Sequence, residues 1–212
     1  LSQIREFPDH PYQVKDDECM NDLVSSIKER GLIQPIIVRP IEDNLYEMVS
    51  GHRRKRAFEL AGLKSIPAKV VELTRDEAIL VMVDSNLQRE VILPSEKAKA
   101  YKMRLDAMKR QGQRSDLTSR PMGDKLNNKR AGEILGEVVG ESERQVQRYI
   151  RLTELIPEML DLVDEGKVAM RPAVEISYLP KESQEQLVKA MEFSDATPSH
   201  YQAIRMKNYC SN

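Results

Sequence analysis

Apolar residues recur at helical spacing at Met20, Leu23, Val24 and Ile27, and this stripe predicts an amphipathic helix over residues 16–30. Asp16, Asp17 and Glu18 suit its start, and Gly31 follows its last periodic residue as a stop. The pattern then shortens to runs that read as strands, Ile36-Ile37-Val38 and Tyr46-Glu47-Met48-Val49, around a polar turn at Glu42, Asp43 and Asn44. A helix over 53–61 and a further strand over 66–71 complete a small α/β unit in the first ~90 residues. Thr74 followed by Glu77 is a capping box and opens a helix carrying Ile79, Leu80 and Val83.

From Pro94 onward the pattern is helical throughout. A long helix is expected over 95–110, with Ala98, Tyr101, Leu105 and Met108 inward. Residues 101–130 carry nine Lys/Arg against three Asp, so 111–127 reads as a mobile basic linker. Asn128 can cap a helix holding Ala131, Ile134 and Leu135. Gly140 and Glu141 turn the chain, and Ser142 with Gln145 forms a second capping box for a helix over 143–152. Two short helices joined by a Gly turn match the helix-turn-helix signature, here about 128–152, although ordinary helical hairpins share it. Prolines 157, 172, 180 and 198 mark further helices over 157–165, 172–178, 181–192 and 198–209. The expected class is α+β: a small α/β domain over 1–93, an all-helical domain over 94–195, and a C-terminal helix or tail over 196–212.

Charge sharpens this picture. The formal net charge of −1 gives no global pull toward nucleic acid, so a DNA surface has to be local. On the 143–152 helix Val146, Tyr149 and Ile150 face inward by spacing, which leaves Arg144, Gln145, Gln147, Arg148 and Arg151 to reach outward. Arg and Gln side chains can read guanine and adenine edges in the major groove. Lys129, Arg130 and Ser142 join the candidate DNA surface. Cys19 and Cys210 belong to no Cys/His cluster and read as reduced thiols, with no zinc site. No apolar run approaches a membrane span, and a cytoplasmic protein is expected.

The second candidate site is Ser50-Gly51-His52-Arg53-Arg54-Lys55-Arg56, where a strand passes through a glycine into a helix start bearing basic side chains. Unpaired N–H groups, the helix dipole and Arg53, Arg54 and Arg56 suit a polyphosphate. The plain alternative is a solvated basic face.

Taken in order, Ser26-Ile27-Lys28-Glu29-Arg30-Gly31-Leu32-Ile33-Gln34-Pro35-Ile36-Ile37-Val38, Gly51-His52-Arg53-Arg54-Lys55-Arg56-Ala57, Asn86-Leu87-Gln88-Arg89-Glu90 with Pro94-Ser95-Glu96-Lys97-Ala98, and the helix-turn-helix ending Tyr149-Ile150-Arg151-Leu152 resemble the ParB family of partition proteins, in the branch carried by plasmids and integrative elements. The resemblance implies CTP with Mg2+ in the N-terminal domain and a double-stranded DNA palindrome on the helix-turn-helix. It also implies a homodimer that closes as a sliding clamp, a ParA-type ATPase partner, and a nucleoid- or plasmid-associated location. By position, Gly51, His52, Arg53, Arg54 and Arg56 look like the first phosphate motif, and Ser85, Asn86 and Arg89 like the second. Asn86 would face the metal, and the Gly31, Gln34 and Pro35 turn would lie near the base. The family usually carries Glu where this chain has His52 and Ser85, which puts hydrolysis and the metal in question.

The family's C-terminal dimerisation domain is expected to be missing or replaced by the 198–209 helix. Its Tyr201, Ile204 and Met206 would either cap the helical domain or meet a second copy. Two rivals share the N-terminal fold. A sulfiredoxin-like enzyme needs a cysteine where Gly51 stands, and a kinase or nuclease needs acidic groups beside the phosphates. A DNA-binding adaptor or regulator with a vestigial nucleotide site is the third reading.

Overall fold

The structure, a computed structural model, describes residues 1–42, 44–87, 89, 91–118 and 131–210, the backbone alone over 112–118. Asn128, Lys129, Arg130 and residues 119–127 of the expected linker lie outside the described residues. The chain divides into two compact units, Leu1–Gln88 with Ala107–Ser119, and Arg89–Asp106 with Arg120–Asn212.

The first unit is built on a four-stranded sheet in the order β1-β3-β2-β4, formed by β1 (Ile4–Arg5), β2 (Ile36–Pro40), β3 (Tyr46–Ser50) and β4 (Ala68–Val70). β2 and β3 are antiparallel, while β1 on β3 and β4 on β2 are parallel. The short β1 is an addition to the elements expected from the sequence: two residues carry no readable alternation. Ile36, Val38 and Met48 are fully buried on the central strands. Arg39 lies opposite Glu47 in the register, and its Nε–H donates to Glu47 Oε2 at 2.6 Å, so the buried carboxylate is paired.

α1 (Glu18–Arg30) packs on α2 (His52–Leu60) through Met20, Ile27, Ala57 and Phe58. Asp17 caps α1 by accepting from Met20 N–H at 2.9 Å. α3 (Arg75–Leu87) opens with the expected capping box. Thr74 N–H donates to Glu77 Oε2 at 2.8 Å, and Glu77 N–H returns to Thr74 Oγ1 at 3.3 Å.

α4 (Pro94–Thr118) starts at the predicted proline but runs past residue 110, so 111–118 is helix and not linker. A run of cations is no helix breaker, and Gly112, at about 1 kcal/mol relative to Ala, is tolerated within an established helix. The first part of α4 belongs to the second unit and its end to the first. Arg110, in that end, donates from Nε to the buried Asp76 at 2.9 Å.

In the second unit α5 (Ala131–Val139) and α6 (Glu143–Arg151) form the hairpin. A 3-10 turn (Leu152–Glu154), α7 (Pro157–Asp164), α8 (Met170–Ile176), α9 (Lys181–Ser194) and α10 (His200–Cys210) follow. α8 begins two residues before Pro172, which is buried inside its first turn, where a missing N–H breaks no helix bond. Leu152, Met159, Ala173, Ile176 and Ala203 are buried in one core with Ala98 of α4. Gln184, fully buried, accepts from Ile156 N–H at 2.9 Å and donates to Leu179 O at 3.0 Å. Met206 of α10 packs on this core, whereas Tyr201 is exposed.

Gly136 sets the closeness of the α5–α6 approach. A Cβ there would stand 2.6 Å from the Glu141 carbonyl and 3.3 Å from Glu143 N. Gly136→Ala is therefore expected to lower unfolding free energy by about 1–3 kcal/mol, because backbone has to move. Urea unfolding measures this, and an unchanged midpoint would show that the hairpin tolerates the methyl.

Candidate nucleotide and DNA sites

At the strand-to-helix turn Gly51 has φ 109°, and a Cβ would stand 2.7 Å from Ile36 Cγ2. Only glycine holds that backbone without strain and collision. α2 then begins at His52 with no side-chain cap, which leaves its first N–H groups available for an anion.

The four basic side chains have separate fates. Arg54 Nη1 donates to Gln34 O at 2.6 Å and Pro35 O at 2.9 Å, tying the turn after Gly31 to the start of α2. The structure thus brings Gln34, Pro35, Gly51 and Arg54 together. Arg53 Nη2 lies 3.5 Å from Asp17 Oδ1 and remains partly exposed. Arg56 makes a two-pronged bond to Asp16, Nε to Oδ1 at 3.1 Å and Nη2 to Oδ2 at 2.5 Å, which holds the Asp16 carboxyl below its usual range. Lys55 donates to Glu6 and pairs with Glu59 at 3.1 Å. A depression of about 340 Å³ beside α2 is lined by Glu6, Val14, Asp16, His52, Lys55, Arg56 and Glu59. Nothing in the sequence pattern marked Glu6, Asp16 or Asp17 as partners of these cations, since each lies in a separate segment.

His52 is buried, and its ring stacks on His10 with centroids 3.6 Å apart. His10 Nδ1–H donates to Tyr12 O at 2.8 Å. Among the described residues His52 Nε2 has no hydrogen-bond partner, and Glu6 Oε2 is 3.8 Å away. Burial first, then the neighbouring His10 and Lys55, push the His52 pKa down to about 3. The ring is therefore neutral at pH 7. A His pKa below its unfolded value means that the unfolded chain binds the proton first as pH falls below ~6.5. Stability is therefore full near pH 7 and falls as the pH drops below ~6.5 toward the folded-state value of about 3. Urea midpoints from pH 7 to 5 should drop more in the parent than in His52→Gln, and equal drops would assign the loss to other groups.

Ser85 and Asn86 lie near the end of α3, which packs on β3. Both turn back on their own helix, Ser85 Oγ–H and Asn86 Nδ2–H donating to Met82 O at 2.9 and 2.8 Å. Arg89 is half-buried and belongs to the second unit. Among the described residues no cluster of three or more His, Cys, Asp or Glu could hold a metal. Asn86 can offer one neutral oxygen, a poor fit to Mg2+ by itself because this ion favours carboxylates or phosphates with waters.

On the hairpin, Gln145 N–H donates to Ser142 Oγ at 3.2 Å, while the Gln145 side chain accepts from Arg148 Nη1 at 3.3 Å. Ser142 therefore caps α6, and Gln145 is turned along the helix toward Arg148. Val146 is fully buried, and Tyr149 packs edge-on to Tyr101 at 5.6 Å under Lys97. Arg144 and Gln147 are exposed, with Gln145 and Arg148 half-buried beside them. Arg151 departs from the expected outward face. Its Nε–H donates to Ser177 Oγ at 3.0 Å and its Nη2 to Ser177 O at 2.8 Å.

A family model described as the ParB N-terminal domain matches residues 1–87. The chromosome-partitioning protein Spo0J of Thermus thermophilus is 35% identical over 168 residues, 79% of this chain and 54% of that protein. The nucleoid occlusion protein of Listeria innocua is 32% identical over 182 residues, 86% of this chain and 56% of that protein. The chain spans about half the length of these curated relatives. The C-terminally truncated chromosome-partitioning protein ParB from Caulobacter crescentus, solved in complex with the centromeric parS site, shares the fold. The TM-score is 0.51 at 23% identity, over 99% of this chain and 96% of that one. Residues 1–87 are thus a ParB N-terminal domain, and over most of its length the chain is similar to ParB chromosome-partitioning proteins.

Proposed function

We propose that this chain binds duplex DNA sequence-specifically through α6 and responds to a cytidine triphosphate held at the Gly51 turn, in the service of DNA partition. The observation that carries the reading is the helix-turn-helix closed on Gly136, with Val146 buried and Tyr149 partly buried behind it and Arg144, Gln147 and Arg148 on its open side. These side chains suit base edges in the major groove, with Ser142 at the helix start, and Lys129 and Arg130 suit flanking phosphates. The relative from Thermus thermophilus is named for chromosome partitioning, and the Caulobacter crescentus protein was solved on its parS site.

For the nucleotide, the uncapped start of α2 and Arg53 supply phosphate contacts, and Arg54 holds the Gln34-Pro35 turn against them. Mg2+, if bound, would be held chiefly by the phosphates, and Asn86 is the residue that could offer it a neutral oxygen. With His52 neutral and stacked under His10, and Ser85 in place of a carboxylate, the site binds the triphosphate and turns it over slowly or not at all. A homodimer, a ParA-type ATPase partner and a nucleoid- or plasmid-associated place in the cytoplasm belong to the same reading. The relative from Listeria innocua favours a second role on the same DNA-binding frame, nucleoid occlusion.

Calorimetric titration with CTP, ATP and GTP, with and without Mg2+, tests the first site. Enrichment of duplexes from a random pool tests the second. Binding of CTP with little dependence on Mg2+, together with one enriched palindrome, is expected. Enrichment of a palindrome without binding of any nucleotide would favour the vestigial-site regulator, and failure of both would overturn the proposal.

A further inference from the structure

We infer that Arg151 is a positioning residue, latched with Tyr178 and Lys207 so that α10 fixes the C-terminal end of α6, the helix proposed to enter the DNA groove. The inference rests on that DNA reading for its functional half only.

Tyr178, just past the end of α8, carries a cation on its ring from each of two helices. The Arg151 guanidinium carbon lies 4.0 Å from the ring centroid, and Lys207 Nζ of α10 lies 4.1 Å from it. Both cations are held from a second direction. Arg151 donates to the side chain and carbonyl of buried Ser177, and Ser177 Oγ–H itself donates to Val174 O at 2.7 Å. Lys207 Nζ donates to Glu175 Oε2 at 2.8 Å, and His200 Nε2 stands 4.0 Å from the other Glu175 oxygen.

An arginine at the end of a reading helix would ordinarily reach for a phosphate, but this one has spent its fork on Ser177 and its flat face on Tyr178. A guanidinium over an aromatic face is attracted by the ring quadrupole, and two cations on one ring remain compatible because Glu175 neutralises the second. The end of α6 therefore moves with α8 and α10. A small rotation of α6 would carry Arg144 and Arg148 away from any base edge they read, so the latch sets register without touching DNA.

Amide hydrogen exchange of the DNA-free chain decides the latch. Tyr178→Leu should speed exchange at 149–152 and in α10 while leaving α7 unchanged, and Tyr178→Phe, which keeps the ring, should restore the parent pattern. On the enriched duplex Tyr178→Leu should bind about tenfold more weakly, and Arg151→Gln should do the same with no change in the salt slope. Unaltered exchange in Tyr178→Leu overturns the latch. A salt slope reduced by about 0.9 in Arg151→Gln overturns the positioning role, because Arg151 would then be a phosphate contact. Parent-like DNA binding by Arg144→Ala would instead sink the reading of α6, with the exchange pattern still deciding the latch.

Discussion

The double variant Arg144→Ala, Arg148→Ala is expected to lose about 2–6 kcal/mol of binding to its selected duplex, roughly 30-fold to 10⁴-fold, and far less on random DNA. Arg144 is exposed, and Arg148 gives up only a 3.3 Å bond to Gln145, so folding should change by no more than ~0.5 kcal/mol. The loss then belongs to recognition. Base-reading contacts act on the specific complex, whereas phosphate contacts act on both and set the salt slope. Anisotropy titrations on specific and random duplexes at two salt concentrations separate the two. Equal weakening on both duplexes would make these arginines phosphate contacts, and no weakening would remove α6 from the interface.

Arg54→Ala is expected to abolish triphosphate binding and to lower stability as well, whereas Arg53→Ala should weaken binding alone. Arg54 gives one charged nitrogen to two carbonyls, Gln34 O and Pro35 O, from a half-buried position. Hydrogen bonds to charged groups are worth about 1.5–3 kcal/mol, so losing this clamp should cost at least ~2 kcal/mol and free the turn after Gly31. Arg53 faces Asp17 at 3.5 Å with both side chains partly exposed, a pair of small worth to folding. Thermal melts with calorimetric titration of CTP distinguish the two variants. Normal affinity in Arg54→Ala would place the phosphates elsewhere, and an unchanged melt would remove the clamp.

Local chemistry made much of this chain readable in advance. The stripe of α1, the capping box at Thr74 and Glu77, the strands on either side of the Glu42 to Asn44 turn, and the α5–α6 hairpin all rest on residues within a few positions of one another. β1 escaped because two residues have no period, and α4 was cut short because its basic second half lacks a clear apolar stripe.

Exposure was another matter. Spacing puts Arg151 on the polar side of α6, but spacing counts neighbours within one helix, and the group that captures Arg151 is Ser177, 26 residues away. Arg54 meets Gln34 across 20 residues and Arg56 meets Asp16 across 40. Helical period, caps and turns come from steric and hydrogen-bonding rules that act over about four residues, and these the sequence determined by itself. Which cations stay open to a ligand, and which are already held by a carboxylate, a carbonyl or a ring, depends on distant segments meeting, and only the tertiary structure decided it.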